Sequence, residues 1–378
     1  MRIAIAVIGA LLTVWLLMAV AQVMLVPRPA SSWLPRLIAR TLFLLAVLPA
    51  RLSRNYSRQD RWLAGTGPLV VLLELVVYVA LLIAALGLFV YGTSDLDWLE
   101  AFYQSGSTLT TLGIVAPVNV PSAIVTFIAA LIGLVVIALF IGYLMALYSA
   151  YVSRESVMAR LSMLAGEPAW GPVVLFRASR LGIAGTQAPQ TMDWINWTCD
   201  LRLNHQVNPV LASLRSTSPN RHWSVTLLAV LDATALRIAT DAEKPRSDWV
   251  QLITEGAITL TTLNLNREGA ARLHNWTAEH GILDALAATE PVAFEDAGLS
   301  EEEWQHGYKL VEDSLRVDGV QPLPDPDVVW RRFAHLRRMY FRASYDIAAR
   351  YFAVPAPWSG PRNPAMPLME PETALESA

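Results

Sequence analysis

Charge is what this chain has least of. Asp, Glu, Lys and Arg supply 16% of its 378 residues, against about 25% in an ordinary soluble domain, while hydrophobic residues supply 54%. No charged residue lies between Glu100 and Arg154. That excludes a water-exposed surface for the stretch and points to a membrane protein. Cysteine is nearly absent too. Cys199 stands alone, so no internal disulfide can form, which suits a reducing cytosol for the second half. There is no phosphate-binding loop, no dinucleotide fingerprint and no internal repeat, and strand signals are scarce. His274, Glu279 and His280 come nearest to a metal motif, but their spacing fits neither HExxH nor HxxEH. No catalytic residue, metal or cofactor is therefore expected. Residues 1–152 carry eight Arg against five acids, a balance of +3, and the net charge of −3 leaves −6 for residues 153–378. An acidic second half argues against a nucleic-acid partner.

Residues 3–26 form a run in which only Thr13 and Gln22 are polar, long enough for a hydrocarbon core of about 30 Å. A cleaved signal has a shorter apolar run that ends at small residues, so residues 1–27 are expected to be a transmembrane helix. In residues 28–67, Arg28, Arg36, Arg40, Arg51, Arg54, Arg58 and Arg61 face Asp60 alone, which puts the segment in the cytoplasm by the positive-inside rule. Within it, residues 33–50 are apolar, but Arg36 and Arg40 leave only 41–50 free of charge. The expectation is an interfacial helix with snorkelling arginines and an external amino terminus; a spanning hairpin would reverse that orientation. A second span is expected over 68–91, with Pro68 suited to its first turn. Glu74 lies inside it, either as a functional intramembrane carboxylate or as one that reaches an interface or an arginine.

Thr93, Ser94 and Asp95 then make a turn, and Asp95, Asp97 and Glu100 stand where acids favour the start of a short helix. Ser105, Ser107, Thr108, Thr110 and Thr111 crowd the approach to Gly113. Hydroxyls at this density are tolerated at membrane depth only against protein or a water-filled path. A short helix, a polar turn and a long apolar helix over 121–151 together form a pore loop. The carbonyl end of its short helix, aimed at the membrane centre, favours a cation. The long helix spans about 45 Å at 1.5 Å per residue, so it tilts or projects into the cytoplasm. Ala129, Gly133, Ala138, Gly142 and Ala146 let helices approach closely; Gly133 or Gly142 could instead serve as a gating hinge.

These features resemble the potassium-channel pore family, whose pore helix ends in a Thr-Val-Gly-Tyr-Gly filter. Thr110, Thr111, Leu112 and Gly113 fall on its Thr-Thr-Val-Gly part, whereas Ile114 stands at the Tyr, Val115 at the second Gly and Ala116 at the usual acid. Three blocks are similar to ones that recur in a bacterial group of potassium-channel-like, two-pore-domain-type proteins. They are residues 105–113 (SGSxxxTLG), residues 141–155 (IGYLxxLYxAxxxRE), and His205, Pro209, Leu211, Arg215 and Ser216 (HxxxPxLxxxRS). The resemblance implies a homotetramer in the lipid bilayer of a bacterial cytoplasmic (inner) membrane. Residues Thr110, Thr111, Leu112, Gly113, Ile114 and Val115 of four chains would then surround a path for monovalent cations. The alternative is a non-conducting membrane-anchored sensor or scaffold that keeps the architecture. Val115 marks the departure, because a β-branched residue at φ > 0 costs about 1–3 kcal/mol. Residues 113–116 are therefore expected to relax into an ordinary extended or turn conformation, with weak, poorly selective conduction or none.

Beyond Arg154 and Glu155 the chain reads as helical. Residues 153–166 continue the last span, with Gly166 as its stop. Further helices are expected near 171–182, 191–203, 222–239, 248–263, 268–286, 299–315 and 325–352. Trp170, Trp194, Trp197, Trp223, Trp249, Trp276, Trp304, Trp330 and Trp358 read as core rather than stacking platforms. Arg331, Arg332, Arg337, Arg338 and Arg342 read as a solvated helix face, and His205, Arg215 and Asp232 as a buried polar network. The expected protein is an all-α membrane protein. It comprises an N-terminal transmembrane helix (1–27), an Arg-rich cytoplasmic interfacial segment (28–67), a potassium-channel-like span, pore-helix and span unit (68–153), a helical cytosolic domain (154–358) and a disordered tail (359–378).

Overall fold

The structure, a computed structural model, describes residues 1–25, 33–53, 55–183, 188–241, 245–264, 287 and 290–362. Every regular element among them is a helix. Four are long and apolar enough to cross a membrane: α1 (Arg2–Met24), α3 (Tyr56–Thr93), α5 (Val120–Ala165) and α8 (Trp223–Thr240). The remaining α-helices are α2 (Trp33–Leu52), α4 (Trp98–Leu109), α6 (Gly171–Arg180), α7 (Ala188–Val207), α9 (Ser247–Leu263), α10 (Glu301–Val317), α11 (Pro326–Arg337) and α12 (Phe341–Arg350). The chain divides into two compact units. One comprises Met1–Leu52, Arg61–Ala150 and Val207–Leu214; the other comprises Ser53–Asp60, Tyr151–Gln206 and Arg215–Ala378.

In the first unit α1 lies tightly on α3. A Cβ at Gly9 would meet the Phe89 nitrogen at 2.5 Å, and one at Gly92 would meet the Arg2 carbonyl at 2.6 Å. Leu16, Val20, Tyr78, Leu82, Leu86, Leu109, Ala129 and Val136 form the core, and Val90, Ala101 and Val125 a smaller cluster. Outward faces are apolar, with Phe127, Leu131 and Leu134 exposed, as suits contact with lipid.

Two helix boundaries differ from expectation. α3 begins at Tyr56, so Pro68 lies inside the helix rather than at its first turn. Asn55 sets the start: its Oδ1 accepts the Ser57 N–H at 3.0 Å and its carbonyl accepts the Gln59 N–H at 2.9 Å. α5 is unbroken for 46 residues, about 69 Å, and stops at Gly166, which takes φ 75. The expected helix over 325–352 is two helices, because residues 338–340 turn and Tyr340 sends its hydroxyl inward to Asp232 at 2.8 Å.

α8 is the axis of the second unit. It is buried along almost its whole length and packs against α6, α9, α11 and α12. Gly171 and Gly256 allow the close approach, since a Cβ at Gly171 would meet Asp232 and one at Gly256 would meet Leu231. α10 starts with a capping box between Ser300 and Glu303, and α11 with Asp325 as cap and Pro326 at its first turn. Trp170, Trp197, Trp223, Trp249, Trp304, Trp330 and Trp358 are buried and Trp194 is half-buried. The expected helix over 268–286, with Trp276, His274, Glu279 and His280, lies outside the described residues. So does most of the expected tail. Its described part, residues 359–362, is packed: Arg362 is buried and donates to the carbonyls of Ala353 at 2.9 Å and Ser359 at 2.8 Å.

Candidate functional site

α4 starts as its acids predict. Asp97 accepts the Glu100 N–H at 2.8 Å and Glu100 accepts the Asp97 N–H at 3.3 Å, a reciprocal capping box. Asp95 stands apart, paired with Arg2 at 3.1 Å. The hydroxyls then divide. Ser105 donates to the Ile83 carbonyl of α3 at 2.9 Å, and Ser105, Ser107 and Thr108 are buried against protein. Gln104 Nε2 donates to Thr126 Oγ1 of α5 at 2.9 Å. Thr110 and Thr111 are exposed.

The turn after α4 is a Schellman helix end. Leu112 N–H donates to the Ser107 carbonyl at 2.8 Å and Thr111 N–H to the Thr108 carbonyl at 2.9 Å. Gly113 N–H also reaches the Ser107 carbonyl, at 3.1 Å, and Ile114 N–H reaches Ser107 Oγ at 2.9 Å. This turn needs a left-handed residue, normally glycine. Here Thr111 fills the place with φ 60, a strained position for a β-branched side chain. Gly113 has φ 67 and Val115 has no positive φ, while residues 113–116 form no regular element. Sequence reasoning singled out Thr111 but missed its left-handed backbone, which no propensity marks. The pull comes from Ser107, whose carbonyl and hydroxyl gather three N–H groups. The carbonyls of Thr110, Thr111, Leu112 and Gly113 accept no hydrogen bond from any described residue. Beside them Leu112 and Ile114 are 64% and 56% exposed, and Val115 is half-buried.

Gly133 and Gly142 part company. A Cβ at Gly133 would stand on the Leu109 carbonyl oxygen, so this glycine lets α5 cross the end of α4. Gly142 has open space around it. Glu74 is half-buried on α3, with Tyr78 and Tyr143 as its ionisable neighbours. It makes no hydrogen bond or ion pair with a described residue, so the expected reach to an arginine is not seen.

In the second unit His205, Arg215 and Asp232 do not form one network. Asp232 pairs with Arg337, which donates from Nε at 3.0 Å and from a terminal nitrogen at 3.3 Å. Arg337 is 0% exposed and ringed by Phe333, Phe341, Tyr345 and Trp358, so it does not belong to a solvated face. Burial disfavours its charge, but the Asp232 carboxylate more than offsets that and raises its pKa above the ordinary range. Arg215 instead holds Asp60 at 2.9 Å and the Phe352 carbonyl at 2.9 Å. Next to it, Ser216 donates to Glu155 at 3.1 Å, as Arg154 also does. Glu155 lies 4.0 Å from Arg221, which also bonds Glu167. Burial pushes the Glu167 pKa up, yet bonds from Ser218 and Arg221 hold it below the usual value. Phe352 and Trp358 adopt positive φ, 53 and 61. The carbonyl of each is held by an arginine, Arg215 and Arg337 respectively, which is how strained backbone persists.

His205 Nδ1–H donates to the Leu201 carbonyl at 2.7 Å, and its Nε2 is buried without a partner. Burial, reinforced by Arg154, pushes its pKa down to about 3. Burial with Arg215 and Arg154 pushes His222 well below 6.5. Both rings are neutral at physiological pH. Among the described residues, no group of three or more His, Cys, Asp or Glu could hold a metal ion. No family model, curated protein or solved structure matches the chain. The first unit offers carbonyl oxygens on a strained turn, and the second offers buried charges that tie helix ends and loops together.

Proposed function

We propose that this chain is a channel-like membrane protein in which α1, α3 and α5 cross the bilayer, α4 enters and returns, and α8 is a core helix of a cytosolic unit. Copies of the chain, four in number, bring residues 110–115 around one axis for monovalent cations in a bacterial inner membrane. The observation that carries this reading is the row of unbonded carbonyls at Thr110, Thr111, Leu112 and Gly113. At membrane depth each unsatisfied carbonyl costs several kcal/mol, and a cation or water held between copies removes that cost. The second unit serves assembly or gating.

Potassium or thallium flux into proteoliposomes tests the reading, with Thr110→Ala and Thr111→Ala as controls. Slow flux that discriminates weakly between potassium and sodium is expected, and the substitutions should alter it. A second reading, a non-conducting anchored sensor or scaffold, draws support from Thr111 at φ 60 and from exposed Leu112 and Ile114. Absent flux from intact tetramers would select it. Topology is tested by single cysteines placed at residues 2, 119 and 300, the first two labelled from outside and the last from the cytosol.

A further inference from the structure

A cavity of about 490 Å³ opens in the second unit between α10 and the start of α11. Its walls are aromatic. Trp304 stacks on Tyr308 at 5.1 Å and meets Trp330 at 4.9 Å, and Phe294 lies 4.4 Å from Trp330. Trp304, Tyr308 and Trp330 are 5%, 6% and 9% exposed, so their rings are fixed by packing. Trp330 Nε1 donates to the Val292 carbonyl at 2.9 Å. The Tyr308 hydroxyl, by contrast, is buried with no partner, and the carboxylates of Glu312 and Asp325 act on it electrostatically. A buried hydroxyl in that condition is costly unless something enters to meet it.

The charged groups around the cavity narrow the choice. Glu301, Glu312 and Asp327 line it together with Lys309 and Arg316. Arg316 is committed to Asp313 at 2.8 Å and Glu312 at 3.6 Å, and Glu301 accepts Gln305 at 3.1 Å. The Asp327 carboxylate pairs with no described residue. Three lining carboxylates, Glu301, Glu312 and Asp327, against two cations, Lys309 and Arg316, leave the wall net negative, and with an orphan hydroxyl and three ring systems they favour a cation with an organic body. A bare metal ion would leave the rings unused, and an anion would face the carboxylates.

We propose that this cavity binds a small protonated amine, whose ammonium donates to the Tyr308 hydroxyl oxygen and the Asp327 carboxylate while its body lies on Trp304 and Trp330. The volume falls in the range of small-molecule sites, roughly 300–1,000 Å³. The site shares no residue with the loop over 110–115, so it stands or falls independently of conduction.

The test is isothermal titration calorimetry of phenethylammonium into the full chain in lipid nanodiscs, with empty discs subtracted. Saturable binding is expected, and 2-phenylethanol, which lacks the charge, should bind at least about tenfold more weakly. Asp327→Asn should weaken phenethylammonium binding by roughly three- to tenfold. Tyr308→Phe should weaken it by about tenfold without lowering the melting temperature, because it removes a hydroxyl that has no partner. Equal binding of the alcohol, wild-type affinity in both variants, or no binding to the wild type would each overturn the proposal.

Discussion

α5 and α8 meet the same standard of length and apolar composition, yet they are used in opposite ways. Of the most apolar window in each, 28% is buried in α5 and 89% in α8. α5 turns Phe127, Leu131 and Leu134 outward and has no charge before Arg154. α8 carries Asp232 near its middle and packs against α6, α9, α11 and α12. Apolar character therefore predicts that a helix is removed from water, but not what removes it. A single acid with a remote partner makes the distinction.

The strongest way to break the contrast is to strip α8 of that partner. Arg337→Ala leaves Asp232 buried and unpaired, and the second unit should lose about 3–5 kcal/mol in denaturant unfolding followed by tryptophan fluorescence. Replacing the pair with Arg337→Met and Asp232→Leu together should restore most of it. An unchanged midpoint in the single variant would mean that the pair does not hold α8.

Acid should weaken the second unit next. His205 has a folded pKa of about 3 against 6.5 unperturbed, and His222 is shifted the same way. The unfolded chain takes up these protons first, so their contribution is complete above about pH 6.5 and is lost as pH falls toward 3. Each extra proton on the unfolded chain removes about 1.4 kcal/mol per pH unit. Unfolding midpoints at pH 7, 5 and 4 should fall in that order, and His205→Gln should flatten the trend.

Smaller effects sharpen the first unit. Gly133→Ala drives a methyl into the Leu109 carbonyl and should cost about 1–3 kcal/mol, seen as a lower melting temperature in detergent. Thr111→Gly removes left-handed strain and should stabilise by about 1 kcal/mol. Gly142→Ala, in open space, should leave the melting temperature unchanged; a large drop would point to a contact made only between copies.

Local signals in the sequence proved legible where the cause lies within a few residues. Asp97 and Glu100 sit three apart and cap α4, Gly166 ends α5, and Trp170, Trp197, Trp223, Trp249, Trp304, Trp330 and Trp358 are core. The misses have distant causes. Arg337 stands among Arg331, Arg332, Arg338 and Arg342 and looks like one more surface charge, yet its partner is 105 positions away. The same partner pulls Tyr340 inward and splits the last helix. Arg215 seeks Asp60, 155 positions earlier, which no spacing rule could join to it. At the candidate loop the hydroxyl crowding was readable, but the left-handed residue was not. Thr111 takes φ 60 because Ser107 collects the N–H groups that follow it.

The distance between Asp232 and Arg337 also has a meaning in time. Translation runs from the amino terminus, so α8 leaves the ribosome about 100 residues before its guanidinium exists. In that interval the nascent segment is apolar enough to be offered to the insertion machinery. An aspartate near the centre of such a segment opposes partitioning into lipid by about 2.5–3.5 kcal/mol, and in water it opposes nothing. On the proposed reading of α8 as a core helix of a cytosolic unit, the acid would act first against insertion of the segment and only afterwards as half of an ion pair.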